Sequence, residues 1–236
     1  MRISYIIPDG QYGFFEDIVP ILCDSGICVE INTITTDSDI VLAGILPVTH
    51  TWIDAISRSG KPFILWHWDL FSFVDLGSPR WRGFLEMLPN ALDIWSCSYE
   101  TARQLMEARG LYSYVMPAWV QREIPVKFRS EDYVMYAASC ASLGKRVDWA
   151  ETACRLLKLP LRLTHGQKLS RVEYVRQLSA CRVYLMTAFE ESNGSIPAME
   201  AASYGKPVVL ADIPSNREVF GETEGVFYFK SWDFGD

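Results

Sequence analysis

Between Thr187 and Glu218 the chain reads TAFEESNGSIPAMEAASYGKPVVLADIPSNRE, an order of residue types able to bind an anion or a sugar. The apolar run Val183 to Met186 leads into a small polar loop, Ser192-Asn193-Gly194-Ser195. Pro197 then stands where the first turn of a helix tolerates it, and Gly205 where a helix stops. A loop with Gly194 and Ser195 opening a helix points unpaired backbone N–H groups and a positive dipole end at whatever lies above it, which suits a phosphate or a sugar hydroxyl. An ordinary strand-loop-helix junction reads the same way over so short a segment. In the first half, Trp66-His67-Trp68-Asp69 follows a buried-strand pattern. His67 and Asp69 are therefore expected at the carboxyl end of that strand, where open α/β sheets bind ligands. The alternative is packing, with both Trp in the core and His67 as a hydrogen-bonded core side chain.

The elements that must position these residues alternate along the chain. Expected strands are Ile3 to Ile7, Cys28 to Asn32, Ile40 to Ala43, Pro62 to Trp66, Ile94 to Ser98 and Tyr112 to Met116. Helical segments near Phe14 to Ser25, Thr51 to Ser59 and Tyr99 to Arg109 lie between them. Residues Pro117 to Asp132, with Pro117, Pro125 and mixed charge, read as a linker. The alternation then resumes: strands at Tyr133 to Ala137, Leu161 to Thr164, Val183 to Thr187 and Pro207 to Ala211, helices at Asp148 to Leu157, Ser170 to Ser179 and one ending near Tyr204. The pattern predicts an α/β protein of two Rossmann-like domains, residues 1–122 and 130–236, facing each other across a cleft.

Composition narrows the partners. At 49% hydrophobic and 22% charged, the 236 residues form a folded protein with ample core. A net charge of −7 gives no global field toward nucleic acid or an anionic membrane, so bulk nucleic-acid binding is not expected. The charge is uneven, however. Residues 1–122 hold 8 basic and 14 acidic side chains, whereas 127–182 hold 11 basic and 5 acidic, so an anionic ligand prefers the second half. The uncharged run Ile40 to Ile53 contains Pro47 and His50 and falls short of the roughly 20 residues a membrane span needs. Ile3 to Pro8 is too short for a signal-peptide core, and the expected location is the cytoplasm. Cys23, Cys28, Cys97, Cys140, Cys154 and Cys181 show no Cys-x-x-Cys spacing and read as reduced, mostly buried thiols.

The segment quoted first resembles the donor-binding signature of retaining GT-B glycosyltransferases of family 4. There a Glu, a Gly-containing loop, a Pro and a second Glu followed by Ala precede a Gly-x-Pro-Val-Val strand. Ile196-Pro-Ala-Met-Glu200-Ala and Tyr204-Gly-Lys-Pro-Val-Val209 match that order. The resemblance covers roughly residues 135–220. It implies that Glu200 holds the nucleotide ribose hydroxyls and that Asn193, Gly194, Ser195 and Ile196 line the donor site. It also implies that Glu191 or Glu190 contacts the donor sugar. Eight residues separate Glu191 from Glu200, one more than the family pattern, and both first-Glu candidates stay open. Lys145 and Arg146 precede a helix much as a basic residue does in the family, where it meets the donor diphosphate. A cation there fits the local positive excess.

The family often has a His near the reacting sugar, which makes His67, Asp69 and Glu191 the catalytic candidates. Gly10 and Gly13 resemble its N-terminal acceptor-side loop. Asp37-Ser38-Asp39 resembles the metal-binding triplet of the other large glycosyltransferase fold, but it directly precedes the apolar run at Ile40 and reads as a strand-entry turn. Metal-independent transfer is the expectation. The function expected is transfer of a sugar from a nucleotide diphosphate sugar, the donor substrate, to an unidentified acceptor, with no further cofactor. The alternatives are a nucleotide-sugar epimerase of the same architecture and a non-catalytic nucleotide-sugar-binding module.

Overall fold

In the computed structural model, which describes residues 1–7, 18–45, 50–68, 79–117, 120, 130–138, 143–167 and 169–230, the alternation of apolar runs and helices makes two parallel sheets. Each sheet belongs to its own unit, Met1–Ala118 and Trp119–Asp236. Gly10, Gly13 and Asp69 lie outside the described residues, as does most of the stretch from Pro117 to Asp132.

The first unit runs β1 (Arg2–Ile6), α1 (Ile18–Asp24), β2 (Cys28–Ile31), β3 (Ile40–Ile45), α2 (His50–Ser59), β4 (Phe63–His67), α3 (Pro79–Met87), β5 (Asp93–Ser96), α4 (Tyr99–Arg109) and β6 (Tyr114–Val115). Its strand order is β2-β1-β3-β4-β5-β6, with every pairing parallel. Strands covered on both faces read as continuous apolar runs, and β3, Ile-Val-Leu-Ala-Gly-Ile, does. Local chemistry bounds α4 completely. Ser98 Oγ accepts from Thr101 N, the Thr101 hydroxyl takes the Ser98 N–H in return, and Gly110 ends the helix at φ +67°. The sequence pattern missed α3, because Arg80, Arg82 and Gly83 interrupt its apolar face, yet Phe84 and Met87 from that helix are buried in the core.

The second unit runs β7 (Val134–Tyr136), α5 (Val147–Leu157), β8 (Leu161–Leu163), α6 (Arg171–Ala180), β9 (Val183–Met186), α7 (Ile196–Ser203), β10 (Val208–Ala211), α8 (Pro214–Phe220) and β11 (Val226–Phe229). The order is β11-β10-β9-β7-β8, again all parallel. Alternate side chains of each strand go to opposite faces. Met135, Tyr184, Met186 and Leu210 pack with Leu178, Ala198, Ala201 and Phe220 of α6, α7 and α8. Val134, Tyr136 and Leu185 meet Ala150 and Cys154 of α5 on the other side. On that side an apolar groove of about 700 Å³ opens, with Val183, Leu185, Val209 and Phe229 among its walls. The short helix α8 was also missed by pattern, although Pro214 stands in its first turn, where a missing N–H costs nothing.

Among the described cysteines, Cys97, Cys154 and Cys181 are buried, but Cys23 and Cys28 are exposed, which corrects the expectation for those two. They sit in and after α1, whose described residues bury only Ile18. Asp37 and Asp39 occupy the turn before β3. Both carboxylates go to Arg2, Asp37 to its guanidinium and Asp39 to its backbone N–H at 2.7 Å.

Candidate functional site

The polar residues of the second unit gather where β7 and β9 end. After β7 a tight turn, Leu143–Lys145, leads through Arg146 into α5. Arg146 adopts φ +48°, an uncommon conformation for a residue with a Cβ. A side chain of β7 and one just after β9 hold the turn in place. The Tyr136 hydroxyl donates to Lys145 O at 2.5 Å, and Thr187 Oγ1 donates to Arg146 O at 2.6 Å. Phe189 N reaches Gly144 O at 3.3 Å, so the loop after β9 is bonded to the turn after β7.

That bonding brings Lys145 against Glu191. The ammonium pairs with Glu191 Oε1, and the carboxylate is almost wholly buried. Glu190 is half-buried, so of the two first-Glu candidates the structure joins Glu191 to the cation. Arg146 turns elsewhere. Its guanidinium forks onto Asp148 at 3.0 and 2.8 Å and lies 4.0 Å from the centre of the Trp149 ring.

The loop Ser192-Asn193-Gly194-Ser195 is buried throughout. Gly194 has φ +65°, and a Cβ built there would stand 2.8 Å from both Ser215 O and Val219 Cγ2 of α8. Only glycine meets both conditions. Ser195, at φ +39°, caps α7: its carbonyl accepts from Ala198 N at 3.0 Å and Met199 N at 3.1 Å, and its hydroxyl from Ala198 N at 3.4 Å. Half-buried Ile196 opens the helix, Pro197 lies in its first turn, and Gly205 follows its end at φ +71°, as the residue types require.

One turn into α7, Glu200 is buried and held from α6. Tyr174 donates its hydroxyl to Oε2 at 2.7 Å, and Arg171 Nη1 stands 2.6 Å from Oε1. Arg171 and Tyr174 were absent from the sequence reading. The signal that frames them is the capping box Ser170-x-x-Glu173, whose reciprocal bonds start α6 at Arg171. Burial and the Glu200 charge hold the Tyr174 hydroxyl well above its ordinary pKa, so it remains a hydrogen-bond donor.

In the first unit His67 is the last residue of β4. Its side chain is fully buried and stacked on Phe84, with ring centres 5.2 Å apart. Burial pushes its imidazole down to about 3, so the ring is neutral at physiological pH. Trp66 and Trp68 are buried beside it, 4.6 Å apart, and Trp66 donates to Met116 O at 3.2 Å. Among the described residues no cluster of three His, Cys, Asp or Glu side chains is arranged to hold a metal ion. No helix among them is long and apolar enough to cross a membrane.

Two units, each a parallel sheet wound with helices in the Rossmann manner, and polar side chains collected at strand carboxyl ends define the GT-B class of α/β fold. Solved structures of GT-B glycosyltransferases share it. HepE of Anabaena, in complex with UDP and glucose, is 13% identical over 98% of this chain and 86% of its own, with a TM-score of 0.69. A sucrose-phosphate synthase from Thermosynechococcus elongatus is 12% identical over 99% of this chain and 86% of its own, TM-score 0.73. An α,α-trehalose-phosphate synthase (UDP-forming) from Burkholderia vietnamiensis is 10% identical over 99% and 89%, TM-score 0.64. At these identities the likeness is one of fold. No protein-family model matches the sequence, and no curated protein matches it either.

Proposed function

We propose that the protein is a retaining, metal-independent glycosyltransferase that takes a sugar from a nucleotide diphosphate sugar bound by its second unit and passes it to an acceptor on the side of its first. The observation that carries this reading is the placing of two carboxylates around one loop and helix. Glu191 is paired with Lys145 at the start of the segment, and Glu200 is held by Arg171 and Tyr174 one turn into α7. Structures of the same fold support it: HepE binds UDP and UDP-glucose.

In this reading Glu200 accepts the ribose hydroxyls and Glu191 meets hydroxyls of the donor sugar. Lys145 stabilises charge that develops on the leaving diphosphate, which is preorganised electrostatics of the kind that usually contributes most to catalysis. The head of α7 adds Ile196 N–H, since Pro197 has none and the next two N–H groups already go to Ser195. Asn193, Gly194 and Ser195 shape the loop, whereas the charge of Arg146 is already paired with Asp148. On the acceptor side the resemblance leaves Asp69, Gly10 and Gly13, while His67, wholly buried against Phe84, takes the packing role that was its alternative reading. Retention of configuration follows the resemblance of residues 191–209.

A calorimetric panel tests the proposal, with UDP-, GDP-, ADP- and TDP-sugars titrated with and without EDTA into wild type and Glu200→Ala. Selective, EDTA-insensitive binding that Glu200→Ala weakens by about tenfold or more is expected, the usual loss when hydrogen bonds to a charged group are removed. Absence of binding by every donor overturns the assignment.

A further inference from the structure

The Glu200 carboxylate is held at both oxygens before any ligand arrives. Both holding side chains come from the first turn and a half of α6. Arg171 opens that helix and Tyr174 follows three residues later, so the two share the face that meets α7. The Arg171 guanidinium also lies 5.4 Å from the centre of the Tyr174 ring, which braces the pair. We infer that Arg171 and Tyr174 are positioning residues that set Glu200 for a vicinal diol, and that through Glu200 they give the site its preference for a ribonucleotide over a 2′-deoxyribonucleotide. This inference rests on the donor-site reading above.

The argument is one of acceptor capacity. An ionised carboxylate has two oxygens and about four lone-pair sites. Among the described residues Tyr174 takes one on Oε2 and Arg171 one on Oε1, which leaves each oxygen with room for one more hydrogen bond. Two adjacent hydroxyls fill both. With Tyr174 and Arg171 fixed, the carboxylate cannot turn to serve one hydroxyl with both oxygens, and a missing hydroxyl leaves a buried charged acceptor unsatisfied. Sites built to bond a hydroxyl reject the analogue that lacks it more strongly than apolar sites reject a change in size. Without the two holders, Glu200 turns freely and adapts to a single hydroxyl.

The test measures affinities of UDP, GDP and ADP and of their 2′-deoxy counterparts by calorimetry. Wild type, Tyr174→Phe, Arg171→Met and Arg171→Lys are compared, and the melting temperature of each is recorded. Wild type is expected to prefer the ribonucleotide of its chosen base by about 10- to 100-fold, the range for a hydrogen bond to a charged group. Tyr174→Phe and Arg171→Met are expected to cut that ratio at least about threefold by weakening the ribonucleotide while leaving the deoxynucleotide nearly unchanged; Arg171→Lys is expected to restore most of it. A purely structural role would weaken both nucleotides together and keep the ratio, and that result overturns the inference. Arg171 is half-exposed, so its variants keep the test alive if Tyr174→Phe does not fold. Wild type that binds and discriminates alongside variants that discriminate equally removes the positioning role and leaves the donor site standing. Wild type that binds no nucleotide removes both.

Discussion

Lys145 and Glu191 lie 46 residues apart in the chain and meet as an ion pair, with the carboxylate side chain 10% exposed and the lysine 27%. The pair joins the turn after β7 to the loop after β9. It also means that a diphosphate reaching Lys145 must compete with a carboxylate already there. Glu191→Gln removes that competitor and keeps the side chain's shape. It is expected to bind a nucleoside diphosphate as tightly as wild type or severalfold tighter, while losing the extra affinity contributed by the sugar. Lys145→Met is expected to weaken the diphosphate about tenfold or more. Titration of both variants with the nucleoside diphosphate and its sugar conjugate checks this, and weaker diphosphate binding by Glu191→Gln would count against competition.

Breaking the same pair from the lysine side has a stability cost. Lys145→Met leaves a nearly buried carboxylate without its cation. The expected loss is about 1–3 kcal/mol, below the figure for a fully buried pair because Lys145 is partly in water. Urea denaturation of Lys145→Met and of the double variant Lys145→Met/Glu191→Gln separates the causes, because neutralising Glu191 should recover most of the loss.

Gly194 and Gly205 share a positive φ but differ in surroundings. A Cβ at Gly194 strikes Ser215 O and Val219, whereas one at Gly205 meets open space. Gly205→Ala is therefore expected to cost about 1 kcal/mol, the backbone term alone. Gly194→Ala should cost at least about 2 kcal/mol and distort the loop between the two carboxylates. Equal losses in denaturant unfolding would show that contact with α8 does not constrain the loop.

His67 supplies a pH dependence whose sign follows from its burial. The folded protein keeps the imidazole neutral down to about 3, whereas the unfolded chain protonates it below about 6.5. Between those values the unfolded state binds the additional proton. Stability contributed by this group is thus complete above pH 6.5 and is lost as pH falls toward 3, at up to about 1.4 kcal/mol per pH unit. His67→Phe keeps a ring against Phe84 and removes the titration. Unfolding free energies at pH 7 and pH 5 should differ by about 2 kcal/mol less in this variant than in wild type.

Thiol reactivity gives an independent check on both units. Cys23 and Cys28 are exposed and should alkylate quickly in the native protein. Cys97, Cys154 and Cys181 should stay protected until unfolding; Cys181 in particular has its thiol pushed up to about 11 by burial. Mass spectrometry after a short iodoacetamide pulse, with and without denaturant, reads the difference.

The sequence by itself determined whatever local chemistry controls. Ser98 and Gly110 bound α4, Pro197 and Gly205 bound α7, and continuous apolar runs such as Ile40 to Ala43 announce parallel strands. Those signals act within a few residues, so they are legible without a fold. Where they were diluted, by the charged residues and Gly83 of α3 or by the brevity of α8, the element was missed. The tertiary structure alone decided which carboxylate meets which cation. It set Glu191, not Glu190, on Lys145 across 46 residues, and Tyr174 on Glu200 across 26. It also buried His67 against Phe84 of a helix the pattern did not contain. The physical reason is the strand order β11-β10-β9-β7-β8, which places the ends of β7 and β9 side by side and lays α6 along α7. Residue spacing carries no record of that order, because crossover connections bring together segments whose local preferences are satisfied equally well in any arrangement.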